Sequence, residues 1–147
     1  MASRITNNSD SFEESLPVFG KASFLACKSD QYGWFTNGRL VLPFIIDRRL
    51  IFKRLILMSN IVELHEGATK NDLQDFINEV SILAKKELKV DFISPPISSA
   101  KFPVFPKNSI YSKYWTFVVD LLKEEDEIFS NFNSTTRKEI RSGKRKP

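Results

Sequence analysis

A chain of 147 residues and 17.0 kDa holds about one domain, enough to bury roughly 68–70% of the surface its unfolded form exposes. With 41% apolar residues, 27% charged residues and thirteen phenylalanines, it is neither a disordered chain nor a coiled coil. The net charge is +4, and the longest uncharged apolar run, Leu40 to Ile46, falls far short of the ~20 residues of a membrane span.

Residues 1–11 read as a flexible start. Met1 to Asp10 is polar and lacks the apolar core of an export signal, so a cytoplasmic protein is expected. Phe12 to Phe19 fits a short helical turn closed by Pro17 and Gly20. Tyr32 to Thr36, Asn37-Gly38 and Arg39 to Leu42 then read as a hairpin, because Asn-Gly tolerates the positive φ angles of a type I′ turn. Pro43 has no amide to donate, so its strand belongs at a sheet edge or is bulged there. Asp47-Arg48-Arg49 supplies the next turn, and Leu50 to Met58 the third strand of an antiparallel meander.

Thr69 and Asp72 have the spacing of a capping box, with Asp in place of the usual Glu. Leu73, Phe76, Ile77, Val80, Leu83, Ala84 and Leu88 follow on one stripe at the helical period. Lys85 and Lys86 suit the negative end of that helix. Val90 to Ile93 is a short strand. Pro95, Pro96, Pro103 and Pro106 then mark a long irregular loop, interleaved with Lys101, Phe102 and Phe105. Tyr114 to Leu121 reads as a strand, Glu124 to about Phe132 as a helix, and Ser134 to Ser142 as a second, basic helix, with 143–147 flexible. The order predicts a single α/β (α+β) domain over residues 1–147, with a mixed, largely antiparallel sheet and flanking helices.

Few residue patterns carry chemistry by themselves. His65 is the sole histidine and lacks the second histidine of a helical zinc motif, so no metal site is expected. Cys27, next to Phe24-Leu25-Ala26, reads as a small buried hydrophobe. Gly20, Gly33, Gly38, Gly67 and Gly143 form no phosphate-cradling spacing, so no cofactor motif is visible. Glu124 to Glu127 reads as a solvated first helical turn.

The positive charge is local. Residues 137–147 hold six basic side chains against Glu139, a net +5, and the first 136 residues carry 16 basic against 17 acidic, a net −1. Arg137, Arg141 and Lys144 or Arg145 recur on one helix face, and Phe129, Phe132, Thr136 and Ile140 define an apolar one. Planar guanidinium forks on one face suit phosphate or carboxylate. A non-catalytic module that uses this basic helix to contact phosphates of nucleic acid or lipid headgroups is therefore one reading. A solvated helix end is another.

Val119-Asp120-Leu121, the acidic helix, and Phe132-Asn133-Ser134-Thr135-Thr136-Arg137-Lys138-Glu139-Ile140-Arg141 together resemble a segment of the Fem-type aminoacyltransferases, within the wider GNAT-like acyltransferases. Leu16 to Phe19, Leu42 to Ile46 and Ser94-Pro95-Pro96 before Tyr111 are similar to the bacterial branch associated with cell-wall peptidoglycan or polysaccharide. The resemblance implies a partial GNAT-like domain that transfers an acyl or aminoacyl group, from acyl-CoA or aminoacyl-tRNA, to an amine of an anionic glycan or peptidoglycan precursor. It implies that Arg137 and Arg141 lie near anionic substrate groups and that Ile140 packs inward. Lys101 and Tyr111, in and just after the proline-rich stretch, complete the candidate substrate-binding set. Ser142-Gly143 stands where the family has an alanine, and the family continues into a pyrophosphate-accepting turn and a second domain. The expectation is an N-terminal portion, incomplete as a catalyst alone, whose open sheet edge favours homodimers.

Overall fold

A computed structural model describes residues 2–94, 104–110 and 122–143. The predicted strand at 114–121, most of the proline-rich loop, and residues 144–147 lie outside the described residues. The chain divides into two compact units, residues 1–111 and 112–147.

The first unit is built on a mixed, mostly antiparallel sheet of six strands. These are β1 (Arg4–Thr6), β2 (Tyr32–Thr36), β3 (Leu40–Arg49), β4 (Phe52–Leu57), β5 (Val62–Glu63) and β6 (Phe92–Ser94). The order is β1-β2-β3-β4-β6, with β5 beside β3. Every pairing is antiparallel except β4 with β6. Where the sequence suggests a loose start, Arg4–Thr6 adds β1 to the edge of β2.

β3 is covered on both faces, which is why Leu40 to Ile46 reads as a continuous apolar run instead of alternating. On one face Phe35, Leu42, Phe44, Leu55 and Leu57 pack with Phe76, Ile77, Val80 and Ala84 of helix α2 (Lys70–Lys86). On the other, Trp34, Val41 and Ile45 pack with Phe12, Leu16 and Leu25. Leu25 comes from the short helix α1 (Ala22–Ala26). Trp34 is fully buried there, and its indole N–H donates to the Gly20 carbonyl at 2.8 Å.

The capping box is present: the Asp72 amide donates to Thr69 Oγ1 at 3.2 Å, and the Thr69 amide to Asp72 Oδ2 at 2.8 Å. In the described end of the proline-rich loop, Val104 is buried against α2. Gln74 donates to the Phe105 carbonyl at 2.7 Å, and the Lys107 amide donates to Asn78 Oδ1 at 3.0 Å.

Three local expectations need correction. Positive φ falls on Gly38 (87°) but not on Asn37. Asn37 donates to the Leu40 carbonyl, so the loop pair is Gly38-Arg39 with the glycine first, the sign pattern of type II′ and not I′. The second hairpin turns at Leu50-Ile51, because Arg49 still pairs with Phe52, so Asp47 to Arg49 is strand rather than turn. Cys27 is exposed, not buried, because it follows the last turn of α1.

Pro43 sits in a central strand, paired with Trp34, yet its missing amide leaves no gap in a regular ladder. N–H and C=O of one residue in an antiparallel strand face the same neighbour. The Pro43 carbonyl accepts from Met58 at 2.9 Å, so its nitrogen faces the end of β4. There the partner bulges: Phe44 pairs with Leu57 and Val41 with Val62, so Leu42 and Pro43 oppose four residues, 58–61. The predicted bulge is on the neighbouring strand.

The second unit contains, among its described residues, α3 (Glu125–Asn131) and α4 (Ser134–Gly143).

Candidate functional site

α3 and α4 are joined by Phe132 and Asn133. Asn133 caps α4: its Oδ1 accepts the Thr136 amide at 2.9 Å, as a short amide side chain does at a helix start. Glu125, Asp126 and Glu127 fill the first turn of α3, where carboxylates meet the positive helix end. Lys123 forms an ion pair with Glu127.

This helical hairpin holds Arg137 and Arg141 one turn apart but gives them different surroundings. Arg137 turns back and donates to the Ser130 carbonyl at 3.1 Å, near the end of α3. A cation there satisfies an orphan carbonyl and complements the helix dipole. Arg141 instead lays its guanidinium over the Phe129 ring, 5.3 Å from the centroid.

Beside that stack lies an open concavity of about 240 Å³ lined by Glu125, Asp126, Phe129, Ile140 and Arg141. It combines two carboxylates, one guanidinium and two apolar walls, so it offers complementary contacts to a ligand bearing both an ammonium and an anionic group. The structure thus brings together Ile140 and Arg141, sets Arg137 apart as a helix cap, and leaves Lys101 and Tyr111 outside the described residues. Glu125, Asp126 and Phe129 were not among the sequence-derived site residues. The available signal was the one-turn spacing of Glu125 and Phe129, which puts both on one face of α3.

The first unit has its own distinctive place. α2 lies between β4 and the parallel strand β6, so the carboxyl ends of two parallel strands fall side by side. In open α/β sheets such ends flank ligand crevices where the topology switches. The bulge at 58–61 follows β4 directly at that end, with Ser59 buried and its hydroxyl donating to the Asn60 carbonyl at 2.7 Å. Among the described residues, no group of three or more metal-ligating side chains comes together.

Comparison of the chain with family models, curated proteins and solved structures returns no match.

Proposed function

We propose that this chain is part of a GNAT-like acyltransferase of the Fem type, acting on an amine of an anionic cell-envelope precursor. The observation that carries the reading is that Ile140 and Arg141, two positions of the R-x-x-I-R helix, line one concavity with Glu125 and Asp126. The carboxylates suit the ammonium of an acceptor, and the guanidinium suits its phosphate or carboxylate. Further support is the antiparallel meander followed by a helical crossover into a parallel strand, in keeping with the first half of a GNAT-like domain.

In this reading the acceptor amine attacks the acyl carbonyl of acyl-CoA or aminoacyl-tRNA. The described residues contribute orientation and charge complementarity, with no covalent intermediate on the protein. The phosphate-binding alternative draws less support, because it needs Arg137 and Arg141 on one face and Arg137 is spent on the Ser130 carbonyl.

The test is calorimetric titration of a nucleotide-linked muramyl peptide into the chain and into Arg141→Ala. Arg141 is exposed, so the substitution should leave the melting temperature in place while weakening binding about tenfold or more, the loss of one charge-assisted contact. Equal affinity of the two proteins would remove Arg141 from the site, and absence of binding by either would overturn the reading.

A further inference from the structure

The β3–β4 hairpin breaks two local rules at its tip. Its two-residue loop is Leu50-Ile51, where turn chemistry favours glycine, asparagine or aspartate. Leu50 holds a φ of 54°, in the left-handed region that bulky side chains avoid. Its side chain is also fully in solvent, at 104% relative exposure, with Ile51 at 85% and Phe52 at 54%. Phe92 of β6 stands beside Phe52, ring centroids 6.3 Å apart, and extends the apolar surface along the sheet end. Exposed contiguous apolar surface of this kind marks an interaction site.

A basic collar surrounds the tip. Residues 47–54 hold Arg48, Arg49, Lys53 and Arg54 against Asp47, a net +3. Asp47 is already engaged by Arg54 at 2.7 Å and by Arg49 at 3.2 Å. Arg48 is exposed and lies opposite Lys53 in the register; the Lys53 ammonium is turned to the Leu88 carbonyl at 2.5 Å, which leaves Arg48, with the exposed Arg49, to meet an outside anion. The surface is convex and apolar at its point, cationic behind it. That sequence of layers matches an anionic bilayer: acyl boundary first, headgroup phosphates next.

We infer that the β3–β4 hairpin docks on anionic lipid surfaces, with Leu50, Ile51 and Phe52 entering the acyl boundary and Arg48 and Arg49 meeting headgroup phosphates. The inference stands apart from the acyltransferase reading and uses no residue of it.

The experiment uses the full chain carrying Ile51→Trp, with vesicles of phosphatidylcholine and phosphatidylglycerol in equal parts. The native chain already holds Trp34 and Trp115, so the signal read is the difference between I51W and the native chain, which reports this hairpin and not the basic carboxyl-terminal segment. A blue shift, with quenching by brominated acyl chains, is the expected result. Flotation of the otherwise native chain with the same vesicles should fall about tenfold or more in L50D/I51D, whose circular dichroism should be unchanged because both sites are exposed. An unquenched tip, or equal flotation of the charged variant, overturns the inference. Self-association that L50D/I51D abolishes, with the tip unquenched by lipid, also overturns it and assigns the tip to a second copy of this chain.

Discussion

Gly33 lies in β2 next to Trp34, which pairs with the last residue of β1. A Cβ built on it would stand 2.9 Å from both Asn7 Oδ1 and the Thr6 carbonyl oxygen and 3.1 Å from Phe44 Cζ. The Thr6 oxygen is main chain, so the neighbour cannot swing aside as a side chain would. Gly33→Ala should therefore destabilise the fold by about 1–3 kcal/mol, the usual cost of overpacking, read as a lower urea midpoint with an unchanged slope. Little of this was legible in the sequence, where Gly33 is simply one residue of an aromatic strand. What demands the glycine is a strand from residues 4–6, contributed by a segment too polar to announce itself. Cys27 teaches the same lesson in reverse: its apolar neighbours suggested burial, but only Leu25 among them is buried. Burial of a residue after a five-residue helix depends on what that helix packs against, which neighbouring letters do not record.

At the scale of elements, α2 was the most readable, because its signals agree. The capping box, the apolar stripe and the terminal lysines each point to the same helix, and it runs from Lys70 to Lys86. Phe76 is 1% exposed at the centre of the stripe against the sheet. Phe76→Ala should cost about 3–5 kcal/mol by lost burial and the cavity left behind, measurable by urea denaturation. A loss below about 1 kcal/mol would show that α2 contributes little to the core. The hairpins were readable as hairpins but not in their turns. Asn-Gly moved by one residue because the Asn37 side chain accepts from both Arg39 and Leu40 amides, at 3.0 and 2.8 Å, holding Asn37 at the strand end. The R-x-x-I-R helix was legible as an element, but the split roles of its arginines were not. Whether a guanidinium reaches a carbonyl or a ring depends on how α3 folds back.

For the molecule as a whole, the fold class was legible because strand, helix and turn signals alternate along the chain. Both faces of the sheet being covered was signalled only by the unbroken apolar run of β3. Two carboxylates of the first unit, one capping α2 and one joining the start of the chain to it, are held by hydrogen bonds. Hydrogen bonds from the Thr69 amide and hydroxyl hold the Asp72 carboxyl below its ordinary range. Those from the Ser3 hydroxyl and amide do the same for Glu79, joining the start of the chain to α2. In both cases the folded pKa lies below the unfolded one. Their stabilisation is therefore complete above the unfolded carboxyl values and disappears as pH falls through the lowered ones. The chain should lose stability in acid below about pH 4, and Thr69→Ala should flatten that acid limb relative to the native protein. An identical pH profile for the two would contradict the assignment.

The four residues set opposite Leu42 and Pro43 carry one more consequence. The surplus there is two, an even number, so the alternation of sides survives the interruption: Leu57 and Ile61 serve the α2 layer, Met58 and Val62 the other. Deletion of either Ser59 or Asn60 alone would swap the destinations of Val62 and Leu64, as a gear advanced by half a tooth drives the wrong wheel. Length can change at that joint only in steps of two, so descendants of this sheet that vary there should keep the same parity.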